Sequence, residues 1–341
     1  SLSTAAVAGD SSTPLRFAQN DKRGEWIVTD GIKPEKCPNC GSKDLEQDSD
    51  TFDTWFSSSQ WPFVTLMSSS SSKFKVSAKG GSASGGQSSK LEKGVSDYDY
   101  FYPTSVMETG YDILRWWVAR MVMVGLYTTG KIPFEHIVLH GLVNDPLGKK
   151  MSKSKGNVVN PLELVDQYGA DAVRFALVYG NATGNDQSLS YSKLDAARKF
   201  TNKLWNMARF IDMNRSQKSK VKSQKSLIEL LNVAKNKNDV EMIEETRNLT
   251  REVTEYLDKY QFNLAAERLY DFIWHEFADI YIEDIKNRLN ENSYLILTTL
   301  YLILLKLLHP FMPFVTEEIY QRFNPPAGGG KSIMIDSWPK T

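Results

Sequence analysis

"HGLVNDPLGKKMSKSKGN", residues 140–157, follows directly on the apolar run "HIVL" (136–139) and carries four lysines and three glycines. A stretch this polar cannot be a core element. The chain's 41 basic residues are balanced by 41 acidic ones, so any site for a polyanion must be local. The run "HIVLHGLV" (136–143) is short, apolar and β-rich and reaches a glycine, the pattern of a central strand. Ligands of open α/β sheets bind at the carboxyl ends of strands, which is where this loop lies. Lys150 and Lys153 bracket Met151 and Ser152, while Ser154 and Gly156 leave the backbone room to move. Such a loop can close two ammonium groups and backbone donors around a triphosphate and stabilise charge on departing phosphates. On charge alone, a solvated lysine loop explains the stretch better.

Outward from the loop, "NPLELVDQYG" (160–169) predicts a helix with Asn160 as N-cap, Pro161 in the first turn and Gly169 as the stop. "ADAVRFALVYG" (170–180) repeats that pattern. Upstream, "DILRWWVARMVMVGLY" (112–127) has apolar residues on most faces and predicts a buried helix. Helix, strand, basic loop, helix is the pattern of part of a doubly wound, Rossmann-like α/β nucleotide-binding domain. From about 192 onward the pattern is helical throughout and predicts an antiparallel bundle. The expected division is a ragged segment at 1–34, an α/β domain at 35–190 and an all-α bundle at 191–341. The Ser/Gly/Lys-rich stretch 68–94 is expected to be a disordered insertion in the α/β domain.

With 341 residues, 41% of them apolar, the chain can bury one large or two medium cores. Two cysteines, Cys37 and Cys40, exclude a disulfide framework and fit a reducing, cytoplasmic setting. They supply half of a zinc site, and no further thiol or imidazole lies within knuckle distance upstream. The opening "SLSTAAVAGDSS" lacks the basic start and apolar core of a signal peptide. The apolar run 294–314 is interrupted by Lys306, His309 and two prolines, so it is expected to be a bundle core helix and not a membrane span.

The order Lys-Met-Ser-Lys-Ser at 150–154, followed by Gly156-Asn157, resembles the second signature of class I aminoacyl-tRNA synthetases. Further blocks are similar to the valyl branch of that family: "EQDSDTFDTWFSSSQWPF" (46–63), "YPTSVMETGYDILRWWVARM" (102–121), "ARKFTNKLWNMARF" (197–210), "LLHPFMPFVTEEIYQRF" (307–323) and "SIMIDSWP" (332–339). The resemblance covers 35–66 and 98–340, and implies that the helical part is an anticodon-binding bundle. It implies a valine–tRNA ligase that uses ATP with Mg2+ to make valyl-adenylate and passes valine to tRNA(Val).

Residue roles follow from the same resemblance. Lys150 and Lys153 would hold the β- and γ-phosphates, within an ATP-binding stretch of Met151, Ser152 and Ser154. His140 and Gly141 would approach the adenosine. Gly110 and Asp112 would face the ribose and the amino-acid end, and Trp55, Ile113 and Trp117 would wall the amino-acid pocket. By pattern alone, two indoles and an isoleucine are more often core. In "ARKFTNKLWNMARFIDMNRSQKSKVKSQK" (197–225), Arg198, Lys199, Lys203, Arg209 and Arg215 are candidates for RNA phosphates, with Trp205 and Phe210 turned to the core.

The sequence departs from the family pattern in lacking a His-Ile-Gly-His signature. Also absent is the inserted editing domain. The expectation is therefore the carboxyl-terminal part of a ligase that needs an amino-terminal fragment, with weak rejection of threonine unless a partner edits. In this family a valine pocket alone rejects threonine by only about a hundredfold. The alternatives are a non-catalytic tRNA-binding module and a sister ligase for isoleucine or leucine.

Overall fold

The structure is a computed structural model, and it describes residues 16–20, 25–29, 35–37, 41–43, 45–47, 53–68, 96–215, 226–323 and 332–340. The expected insertion therefore lies, from residue 69, outside the described residues, as does Cys40. The fold divides into two compact units, residues 1–138 and 139–341.

In the first unit, β1 (Arg16–Asn20), β2 (Glu25–Thr29) and β3 (Leu45–Gln47) form an antiparallel sheet in the order β2-β1-β3, with Ala18 opposite both Ile27 and Gln47. Two of these strands lie in the stretch expected to be ragged. Short helices follow: α1 (Thr54–Ser58), α2 (Trp61–Ser68) and α3 (Asp97–Phe101). Asp53 caps α1 by accepting the Trp55 N–H, and Ser96 caps α3 by accepting the Asp99 N–H. β4 (Thr104–Gly110) pairs with β5 (Phe134–His140). Between them the chain runs through a 3-10 turn (Tyr111–Ile113) and a π-helical turn (Leu114–Val118) into α4 (Ala119–Thr129). Gly130, at φ +72°, ends that helix in a left-handed cap.

The helix expected to be buried over 112–127 is buried only in part. Met107, Val118, Met121 and Phe134 form a small core with Leu114 and Trp117 packed on it. Trp116, Met123 and Tyr127 are 50%, 61% and 83% exposed. The two-stranded sheet and the short helices α1 and α2 cover only part of α4, so apolar residues on its remaining surface stay exposed.

In the second unit, β6 (Val143–Asn144) pairs in parallel with β7 (Gln187–Ser188), Val143 opposite Gln187. α5 (Pro161–Tyr168) and α6 (Ala170–Val178) lead into the bundle. Its helices are α7 (Tyr191–Met213), α8 (Leu227–Leu231), α9 (Lys237–Asp258), α10 (Phe262–Asp271), α11 (Ile282–Lys286), α12 (Glu291–Leu308) and α13 (Pro313–Phe323), with a π-helical stretch (Phe272–Tyr281) between α10 and α11. The expected Asn160 cap forms, accepting the Leu162 N–H, and Ser226 with Glu229 makes a capping box on α8 that the sequence reading did not anticipate.

α12 is long and apolar enough to cross a membrane by composition, yet 72% of it is buried within the protein. Leu297, Leu300, Tyr301 and Leu305 have no exposed surface, which makes α12 the centre of the bundle. A buried ionic group ties α9 to the segment around α11. Asp239, 3% exposed, accepts hydrogen bonds from the Tyr281 hydroxyl and from Arg288, which also pairs with Asp284. The charge is tolerated there because the Arg288 guanidinium and the Tyr281 hydroxyl both meet Asp239 Oδ1.

Candidate active-site segments

The lysine loop is built on a turn that its sequence specifies. Asp145-Pro146-Leu147-Gly148 closes a tight turn in which the Gly148 N–H donates to the Asp145 carbonyl and the Asp145 N–H to the Lys149 carbonyl. Proline sets φ early in the turn and Gly148 supplies the left-handed residue at φ +76°. The Asp145 carboxylate, 6% exposed, accepts the N–H groups of Leu147 and Lys149 and the side-chain amide of Asn157. The Asn157 hydrogen bond, reinforced by the Lys149 N–H, holds this carboxyl below the usual carboxylate range.

Beyond the turn, Met151 and Ser152 are half-buried and Lys150, Lys153 and Ser154 are exposed. The Val159 N–H donates to the Met151 sulfur at 3.5 Å, and the Ser152 and Ser154 hydroxyls are 3.2 Å apart. Lys153–Lys155 forms one 3-10 turn that Gly156 ends at φ +66°. Two ammonium groups thus project from a loop whose backbone is fixed by other side chains. That arrangement suits a polyanion.

The approach to the loop is equally constrained. A Cβ on Gly141 would fall 1.9 Å from the Asn185 carbonyl oxygen, so only glycine lets the two segments pass. The Leu142 N–H donates to Asp186 at 2.7 Å and the Gln187 N–H to the Leu142 carbonyl. His140 is exposed, with its Nδ1–H donating to the Gly141 carbonyl at 2.7 Å.

The bundle carries the loop. α5 and α6 bury Leu164, Val173 and Phe175 in its core; each such side chain contributes about 1.5–3 kcal/mol. Asp171 at the start of α6 caps a helix far away in sequence, accepting the N–H groups of Phe314 (3.2 Å) and Val315 (2.6 Å) in the first turn of α13. Burial lifts the Asp171 carboxyl above its ordinary value despite those donors. Arg174 donates to the Pro310 carbonyl beside it.

In the first unit, Gly110 is buried at the end of β4, Asp112 is exposed, and Ile113 is half-buried. Trp117 is half-buried and its indole N–H donates to the Ser58 carbonyl at 3.3 Å, with the Trp61 ring centroid 6.3 Å away. Trp55 lies half-buried on α1, which packs against the π-helical turn bearing Trp117. An ion pair absent from the sequence expectations ties these segments: Arg120 Nη1 to Asp53 at 2.7 Å. The hydrogen bond from Arg120, with the Trp55 N–H, lowers the Asp53 pKa.

Along α7, three of the five candidate phosphate ligands are already ion-paired. Arg198 and Lys199 both meet Asp195, and Lys203 meets Asp279 beneath the Trp274 ring. Trp205 and Phe210 pack on the core as expected. Of the zinc candidates, Cys37 is buried in a turn closed by the Gly41 N–H on its carbonyl.

Residues 74–190 match the family model of class I tRNA synthetases of the I, L, M and V kind, and residues 239–341 match the anticodon-binding domain of tRNA ligases. Residues 74–190 thus carry a class I tRNA synthetase catalytic domain and residues 239–341 an anticodon-binding domain. Its curated relatives narrow the branch. It is 42% identical over 323 residues to the valine--tRNA ligase of Clostridium acetobutylicum, covering 93% of this chain and 33% of that protein. It is 43% identical over 309 residues to that of Symbiobacterium thermophilum, covering 89% and 31%. The chain thus spans about a third of the length of the curated relatives it matches. Among solved structures, a LeuRS of Agrobacterium radiobacter K84, in a ternary complex with tRNA and LeuAMS, aligns over 96% of this chain and 40% of its own, at TM-score 0.69 and 21% identity. That likeness shows the same fold.

Proposed function

We propose that the chain is the carboxyl-terminal part of a cytoplasmic valine–tRNA ligase, acting with the remaining length that its relatives possess. The functional division is drawn at 190/191, with the catalytic part before it and the anticodon-binding bundle after it. The observation that carries this is the Lys150–Ser154 loop, held exposed on a braced turn, in a chain more than 40% identical to valine--tRNA ligases.

The proposed reaction has two steps. Valine's carboxylate oxygen attacks the α-phosphorus of ATP, forming the mixed anhydride as pyrophosphate leaves. A terminal ribose hydroxyl of tRNA(Val) then attacks the acyl carbon, loses its proton, and AMP departs. Neither step needs a protein nucleophile, so positioning and charge stabilisation supply the catalysis.

Lys150 and Lys153 neutralise the charge that grows on the leaving pyrophosphate. Met151, Ser152 and Ser154 shape the loop around it, and His140 and Gly141 lie toward the adenosine. In the first unit, Gly110 and Asp112 are assigned to the ribose and amino-acid end, and Trp55, Ile113 and Trp117 to the apolar wall of the valine pocket. Magnesium would arrive with ATP and screen its phosphates; among the described residues no three His, Cys, Asp or Glu side chains converge as a cage for an ion.

The test is amino-acid-dependent pyrophosphate exchange by the complete enzyme, with valine, isoleucine and leucine in separate reactions. Exchange with valine at least about tenfold above the others is expected. Preference for isoleucine or leucine would reassign the ligase, and RNA binding with no exchange would leave only a tRNA-binding module.

A further inference from the structure

Lysine loops are held open by mutual repulsion, so a loop with four of them needs something else to keep its shape. The bonds that do so come from a pair twelve residues apart. Asp145 Oδ1 accepts the N–H groups of Leu147 (3.0 Å) and Lys149 (2.8 Å), and its Oδ2 accepts Asn157 Nδ2 at 2.9 Å. Asn157 also donates to the Lys150 carbonyl (3.3 Å), and its Oδ1 accepts the Ser152 N–H (3.0 Å).

Together these bonds fix the peptide groups immediately before and after Met151. None of them uses a lysine side chain. A carboxylate so near a phosphate site would repel the ligand if it faced outward. Here both of its oxygens are occupied by inward donors and the group is 6% exposed.

We propose that Asp145 and Asn157 are positioning residues, a polar brace that holds the Lys150–Lys153 loop in the shape that receives a triphosphate tail. The proposal rests on the ligase reading for its ligand, but the brace itself is a property of this chain. Its polarity makes a specific prediction. Asp145→Asn would bring two amide NH2 groups face to face, and Asn157→Asp would oppose two carboxylates. In the double variant the roles reverse: residue 145 donates, residue 157 accepts, and the Ser152 and Leu147 N–H groups keep oxygen acceptors, while the Lys150 carbonyl loses its donor. Only a direct pair is rescued by such a swap.

The experiment has two arms. On this chain, amide hydrogen exchange across 145–157 and binding of inorganic tripolyphosphate are measured for wild type, both single variants and the swap. Each single variant should speed exchange in the segment and weaken tripolyphosphate binding by about tenfold, as expected for a lost charge-assisted hydrogen bond; the swap should restore part of both, short of wild type by the lost bond to the Lys150 carbonyl. On the complete enzyme, the single variants should lower kcat for valine-dependent pyrophosphate exchange by about 10- to 100-fold with valine KM nearly unchanged.

Single variants with wild-type exchange and binding would overturn the brace. So would a swap no better than the singles, or faster loop exchange with kcat untouched. If the wild-type enzyme performs no valine-dependent exchange, the ligase reading fails. The tripolyphosphate arm then decides the brace alone, rescue supporting it and no rescue overturning it.

Discussion

The helical bundle and the strand-and-helix cluster of the first unit use the same apolar residue types and bury them very differently. In the bundle, Phe277, Leu300, Tyr301 and Leu305 have no exposed surface, and α12 is enclosed by its neighbours. Among the described residues of the first unit the larger core cluster has four buried members, and Trp116, Met123 and Tyr127 remain open. Bundle helices meet partners on several sides, whereas the two-stranded sheet with α1 and α2 leaves part of α4 open. Stability therefore resides mainly in the bundle, and the lysine loop is attached to that stable part through α5, α6 and the Asp171 cap.

The contrast can be broken by substitution. Phe277→Ala should cost about 3–5 kcal/mol of unfolding free energy, because the cavity it leaves lies in a filled core; a loss below about 1 kcal/mol in urea denaturation would contradict the burial difference. Asp171→Ala should cost about 1–2 kcal/mol by uncapping α13, and should also loosen α5 and α6, which hydrogen exchange would report.

Asp53→Asn should have a smaller effect, since the pair with Arg120 is solvent-exposed. Its pH dependence has a definite sign. The folded-state pKa is lowered, so the stabilisation is complete above the unfolded value of about 3.9 and is lost as pH falls through the lower folded value. Acid titration of wild type and variant should converge at the acid end and separate toward neutral pH. Met123→Ala, at the open surface, should change stability by less than about 0.5 kcal/mol. A larger loss would show that the first unit is covered in solution.

Local chemistry was legible in the sequence; long-range pairing was not. The Asn160 cap, Pro161 and the Gly169 stop could be placed because each acts within one turn of itself. The lysine signature and its neighbouring blocks identified the family before any geometry. The strand expected at 136–143 is instead β5 at Phe134–His140 and a separate two-residue β6, because Gly141 is where the chain passes under Asn185.

Helix 112–127 is less buried than its pattern suggests because an apolar pattern does not say how many partners exist to cover it. Asp145 announces itself in Asp-Pro-x-Gly turn chemistry, yet its bond to Asn157 depends on how the loop folds back. Arg120–Asp53 and Trp117–Ser58 join residues 67 and 59 positions apart, and no local period encodes them.

The most direct measurement is valine-dependent pyrophosphate exchange by the complete enzyme with Lys150→Ala and Lys153→Ala, singly and together. Removal of one preorganised charge donor to a transition state typically costs about 10²–10³ in kcat. A loss of that order is expected for Lys153→Ala, a larger one for the pair, with near-normal valine affinity in both. Exchange at the wild-type rate in the double variant would contradict that expectation.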